Sequence, residues 1–146
     1  DCISDQQLMI YPTTNSGYGA TTGEIHCDEK TPLNPISLYG TLKKEAEDMV
    51  MSRVNSICYR MATVFGISPR PRTDLLVNDF VYKAYNDKSI VLFESHFKRN
   101  FIHVRDIANA YSFSINNFDS LKSEIYNLGL SNANLTKMEL CEKIKI

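Results

Sequence analysis

Short apolar runs alternate with longer stretches of helical periodicity along this chain, and that alternation restricts the fold more than any other feature. Leu8-Met9-Ile10-Tyr11 has the length of a buried strand. Ser56–Thr63 reads as a second strand, ending at Val64-Phe65-Gly66. Between them Leu38, Leu42, Met49 and Val50 recur at helical spacing, with Lys44, Glu45, Glu47 and Asp48 mostly outward. Asp74–Tyr85 repeats the helical pattern with Leu76, Phe80 and Ala84 on one stripe, and Val104–Ile115 reads as a further helix. Ile90–Phe93, Asn100–Ile102 and Glu124–Leu128 are short strand candidates, and Thr136 with Glu139 matches a capping box. Pro12–Gly23 has loop chemistry, and Glu24–Pro35 stays irregular because of its charges and two prolines. The class predicted is α/β with an open sheet.

Composition removes several functions. A length of 146 residues is one domain's worth. The net charge of −1 leaves no electrostatic footprint for nucleic acid or an anionic membrane. No apolar run approaches the roughly 20 residues of a membrane span. Cys2, Cys27, Cys58 and Cys141 do not pair at metal-ligand spacing, and His26 beside Cys27 makes no zinc site without a second pair of ligands. They read as free thiols of a reducing cytoplasm. The first residue is Asp1, no leader pattern follows, and the last residues fall soon after a helix start. The expectation is a part of a longer protein, cut at both ends.

Tyr39 and Lys43 carry the chemistry. A spacing of four puts both on one face of a helix. An ammonium near a phenol favours the phenolate, which fits a tyrosine for general acid–base work. With eight tyrosines in the chain, about half a Tyr-x-x-x-Lys match is expected by chance, so the spacing needs support. Thr14 gives it, because a hydroxyl just past the first strand stands where open α/β sheets bind ligands. The local alternatives are a solvated helix face for Tyr39 and Lys43, a turn role for Thr14, surface charges for Arg60 and Arg99, and a structural role for His103. Asp106 reads as supporting a helix start.

Five segments in order resemble the extended short-chain dehydrogenase/reductases, specifically the NAD-dependent epimerase/dehydratase family. They are Thr13–Gly19, Tyr39–Lys43, Tyr59–Gly66, Arg99–Asp106 and Tyr126–Gly129. The resemblance implies a Rossmann-type parallel sheet, in its C-terminal half, with a small α+β substrate-binding lobe. Residues 1–66 would complete the cofactor domain and hold the catalytic helix. Residues 67–146 would be mostly the substrate lobe, with a strand and helix near 99–117 returning to the first domain. Tyr39 would be the acid/base, Lys43 would hold the nicotinamide ribose, and Thr14 would orient the substrate hydroxyl. Val64 would lie near the nicotinamide, and Thr63, Asn78 and Arg99 would meet the nucleotide sugar.

Two departures narrow this. Gly17-Tyr18-Gly19 is a lone Gly-x-Gly followed by no helix start, so the pyrophosphate-gripping segment is expected upstream. The residue that chooses NAD over NADP would lie there too, so this sequence does not decide between them. The polypeptide alone is therefore expected to bind no NAD. The family's dehydratases carry an acidic pair after the threonine, whereas here stand Asn15 and Ser16. That favours an epimerase or simple oxidoreductase over dehydration. A nucleotide-sugar reductase or dehydratase, or a non-catalytic NAD(P)-binding protein of the same fold, is the alternative. The resemblance also implies a cytoplasmic homodimer when full length.

Overall fold

The computed structural model describes residues 3–20 and 26–145. The loop expected at 21–25 and the Cys2 thiol lie outside the described residues. The chain divides into two compact units, Asp1–Met61 with Asn109–Leu128, and Ala62–Ala108 with Gly129–Ile146.

The first unit is built on three parallel strands in the order β1-β2-β5. They are β1 (Met9–Thr14), β2 (Ser56–Met61) and β5 (Glu124–Leu128). Helix α1 (Leu38–Met51) connects β1 to β2 and packs on both, the crossover that parallel neighbours require. In β2, Ser56 to Arg60 are all buried, as expected of a strand covered on both faces. Ile57 and Tyr59 pack with Phe118 of the short helix α4 (Phe118–Leu121). The Tyr59 hydroxyl is hydrogen-bonded to Ser114 near the end of α3 (Val104–Asn116).

The second unit holds β3 (Thr63–Phe65), β4 (Lys98–His103) and β6 (Asn134–Thr136) in the order β3-β4-β6. The first pair is parallel and the second antiparallel. Its core is Val77, Phe80, Phe101 and Leu140, from α2 (Leu76–Asn86), β4 and α5 (Lys137–Ile144). The expected capping box closes the start of α5, with Thr136 and Glu139 satisfying each other's backbone amides.

Several expectations are corrected. Pro12, Thr13 and Thr14 extend β1 rather than opening a loop, in register with Tyr59, Arg60 and Met61 of β2. The loop expected to follow begins instead with a 3-10 turn at Asn15–Tyr18. Ser56–Thr63 is not one strand: β2 ends at Met61, and β3 enters the other sheet. Ile90–Phe93 forms no strand. Of the apolar stripe expected on α1 only Val50 is buried; Leu38, Leu42 and Met49 are 75%, 54% and 74% exposed, while Gly40 and Glu47 are buried instead. The strand near residue 99 belongs to the second unit's sheet, and the chain re-enters the first unit at Asn109.

Candidate functional site

Thr14 is the last residue of β1, at the carboxyl end of a parallel sheet. Its Oγ1 accepts the Ser16 amide at 3.1 Å, which turns the chain sharply into the 3-10 turn. The turn reading of Thr14 is thus correct, and its hydroxyl hydrogen is still available to donate.

Helix α1 begins where Ser37 caps it, its Oγ accepting the Gly40 amide at 3.1 Å. Gly40 is buried, and a Cβ there would stand 3.0 Å from Pro35 Cβ and 3.3 Å from the Ser16 carbonyl oxygen. The helix start therefore sits directly on the turn that follows Thr14. Tyr39 is 58% exposed, and its hydroxyl has no hydrogen bond among the described residues. Lys43 Nζ donates to the Pro12 carbonyl at 3.2 Å and to the Tyr11 hydroxyl at 3.4 Å, and lies 5.0 Å from the Tyr11 ring centre. The ammonium is thus held by β1, not by the Tyr39 phenol one turn away.

Beneath these residues lies a buried polar cluster that the sequence reading missed. Glu47 is 2% exposed and Arg60 6%, so neither is the outward charge expected. Arg60 donates to Glu47 Oε1 through Nε at 3.1 Å and through Nη2 at 2.6 Å. Thr13 Oγ1 donates to Glu47 Oε2 at 2.8 Å. Arg60 Nη1 reaches the Tyr18 hydroxyl at 3.0 Å and the Glu29 carbonyl at 3.1 Å. Tyr18 in turn donates to Asn127 Oδ1 at 2.7 Å. Burial works against the Arg60 charge, but the bonds to Glu47 and Tyr18 outweigh it and raise its pKa. A signal was present: Arg60 interrupts a strand that otherwise reads as buried, and a charge there requires a partner.

The remaining site candidates lie in the second unit. Thr63 and Val64 are half-buried on β3. Asn78 Oδ1 accepts the Gly66 amide at 3.2 Å, and its Nδ2 donates to the Arg72 carbonyl at 2.9 Å, so its amide holds the loop after β3. Gly66 has φ +125°, and a Cβ there would crowd His103 Nε2 at 2.7 Å. Arg99 on β4 is exposed, with no ion-pair partner among the described residues. His103 accepts the Arg105 amide at 3.2 Å and packs edge-on against Phe65, a structural arrangement. Among the described residues no group of three metal-ligating side chains is gathered, and no helix is long and apolar enough to cross a membrane.

Comparison with known proteins adds to this geometry. The sequence model of the NAD dependent epimerase/dehydratase family matches residues 2–129. A protein of Methanocaldococcus jannaschii named "Putative UDP-glucose 4-epimerase" is 31% identical over 124 residues, 78% of this chain and 39% of that protein. Protein CapI of Staphylococcus aureus is 32% identical over 114 residues, 73% of this chain and 33% of that protein. The dTDP-glucose 4,6-dehydratase of Bacillus anthracis, solved in complex with NAD, superposes with a TM-score of 0.82 at 24% identity, over 94% of this chain and 44% of that one. The chain thus spans between a third and a half of the length of these relatives.

Proposed function

This chain belongs to the NAD-dependent epimerase/dehydratase family, and we propose from that premise that the protein acts on a nucleotide sugar, with NAD as cofactor and Tyr39 as the proton-transferring group. One observation carries the reading. Lys43 is pinned to the carbonyl of Pro12, two residues before Thr14 on β1, while Tyr39, one turn earlier on the same helix face, stands exposed.

The residues fit the nicotinamide ribose. An ammonium has three donors, and Pro12 and Tyr11 take two of the Lys43 set. The third suits a ribose hydroxyl. Tyr39 and Lys43 would hold that end of the cofactor, with Val64 near the nicotinamide ring. No pyrophosphate cradle is formed by Gly17-Tyr18-Gly19, because Gly17 and Tyr18 are buried in the 3-10 turn.

NAD, when bound, would supply the hydride chemistry for oxidation and re-reduction at a sugar carbon. Tyr39 Oη takes the proton of the sugar hydroxyl as that carbon is oxidised and gives it back on reduction. Thr14 Oγ1 donates its hydrogen to the same sugar oxygen while still accepting from Ser16. Within the second unit, Arg99 would offer an exposed planar fork of donors to a diphosphate, and Thr63 and Asn78 would be further substrate-binding residues of that unit. The two compact units would serve cofactor and substrate, respectively. Asn15 and Ser16 stand where the family's dehydratases place their acids, so epimerisation or simple oxidoreduction is favoured over elimination. The active form would be a cytoplasmic homodimer, to which the exposed Leu38, Leu42 and Met49 of α1 are suited.

The test is Tyr39→Phe in the protein as its own gene encodes it, assayed with NAD and with UDP-glucose and dTDP-glucose. Turnover should fall by about 10²- to 10⁴-fold. The unfolding midpoint should hold, since Tyr39 is exposed, and NAD should still bind by calorimetry, because Lys43 remains to hold the ribose. Near-wild-type turnover would remove Tyr39 from the mechanism.

A further inference from the structure

We infer that Thr13, Glu47 and Arg60 are positioning residues for the catalytic helix: one buried carboxylate, bonded from β1 and β2 at once, sets where α1 lies along the strand end that carries Thr14. The inference rests on the active-site reading above and extends it to residues that touch neither substrate nor cofactor.

Tyr39, Lys43 and Glu47 are spaced by four, so all three share one face of α1. Lys43 is tied to Pro12, and Glu47 to Thr13, the two β1 residues immediately before Thr14. Thr13 and Arg60 are register partners across β1 and β2, and both reach Glu47. Arg60 also grips Tyr18 and the Glu29 carbonyl, which fixes the turn following Thr14 from its other side. The helix bearing the phenol and the turn bearing the threonine are therefore referenced to the same guanidinium.

Stability alone does not account for this arrangement. A buried ion pair is often no more stabilising than packed apolar side chains of similar volume. Directional bonds fix distance and angle, whereas apolar surfaces in contact can slide. A misplacement of about 1 Å at a reacting group can cost on the order of 100-fold in rate.

Glu47→Ala would strand Arg60 in the interior, so Thr13→Val carries the test. It keeps the shape and the Glu47–Arg60 pair and removes only the β1 donor. In the full protein, kcat for whichever of UDP-glucose and dTDP-glucose is turned over should fall about 10-fold or more, with KM and NAD affinity within about twofold. Thr13→Ser should restore kcat. Independently of activity, crystal structures of wild type and Thr13→Val should differ by about 0.5 Å or more in the position of α1 along β1. An unmoved helix, an unchanged kcat, or a kcat loss matched by an equal loss of thermal stability would each overturn the inference. If Tyr39→Phe abolishes turnover while Thr13→Val does nothing, the positioning role alone falls. If Tyr39→Phe is active, both readings fall together.

Discussion

In the first unit the interior holds the polar side chains of Thr13, Glu47, Ser56, Arg60 and Ser114, together with the hydroxyls of Tyr18 and Tyr59 and the thiol of Cys58. The second unit buries Ala62, Val77, Phe80, Phe101, Ile102 and Leu140, none of which has a polar side-chain atom. Apolar packing tolerates exchange of one hydrocarbon for another of similar volume, because any close contact will serve. A buried ion pair does not, because each partner is needed to offset the other's desolvation. The two units should therefore respond differently to substitutions of similar size.

The largest effect should come from Glu47→Ala, which leaves the Arg60 charge unpaired. Urea unfolding should show a loss of about 3–5 kcal/mol. A loss below that of Leu140→Met in the second unit would break the comparison. Cys58, fully buried in β2, should give a pH signature. Burial, with the Glu47 charge beside it, pushes its thiol up to about 12, against a lowering contribution from Arg60. Above its unfolded value near 9 the unfolded chain sheds this proton while the folded chain keeps it, so stability is full below pH 9 and declines toward pH 12. Cys58→Ala should flatten that decline in pH-dependent unfolding. Its thiol should also resist alkylation at pH 8 far longer than those of Cys27 and Cys141, which are only partly buried.

Leu140→Met, a swap of similar volume in the second core, should cost less than about 1.5 kcal/mol in the same urea experiment. Thr136→Ala should cost least, about 1 kcal/mol, by removing the cap of α5. A Thr136→Ala loss exceeding that of Glu47→Ala would mean that the second unit, not the first, depends on directional bonds.

The sequence revealed what is local. Glu124–Leu128, Val104 onward and the Thr136–Glu139 box depend on runs of neighbours, and the structure places them where the pattern did. Thr14, Tyr39 and Lys43 were visible as spacing, and the structure puts Thr14 at a strand end and the other two on one helix face. What periodicity could not supply was the partner across space. Counting leucines put Leu38, Leu42 and Met49 inside, whereas the buried face of α1 is set by Glu47 meeting Arg60 thirteen residues on. Likewise β4 looked like a strand from its own residues, but which sheet it joins depends on β3 and β6.

The regular spacing of Tyr39, Lys43 and Glu47 also limits how this helix can change. Adding or losing one residue between positions 39 and 47 would rotate the phenol by about 100° relative to its buried anchor. Only changes of nearly whole turns would keep both ends in phase. Substitutions on the exposed Leu42 and Met49 side are free of that constraint. The length of the helix between phenol and carboxylate is thus held constant, whatever its outer surface is used for.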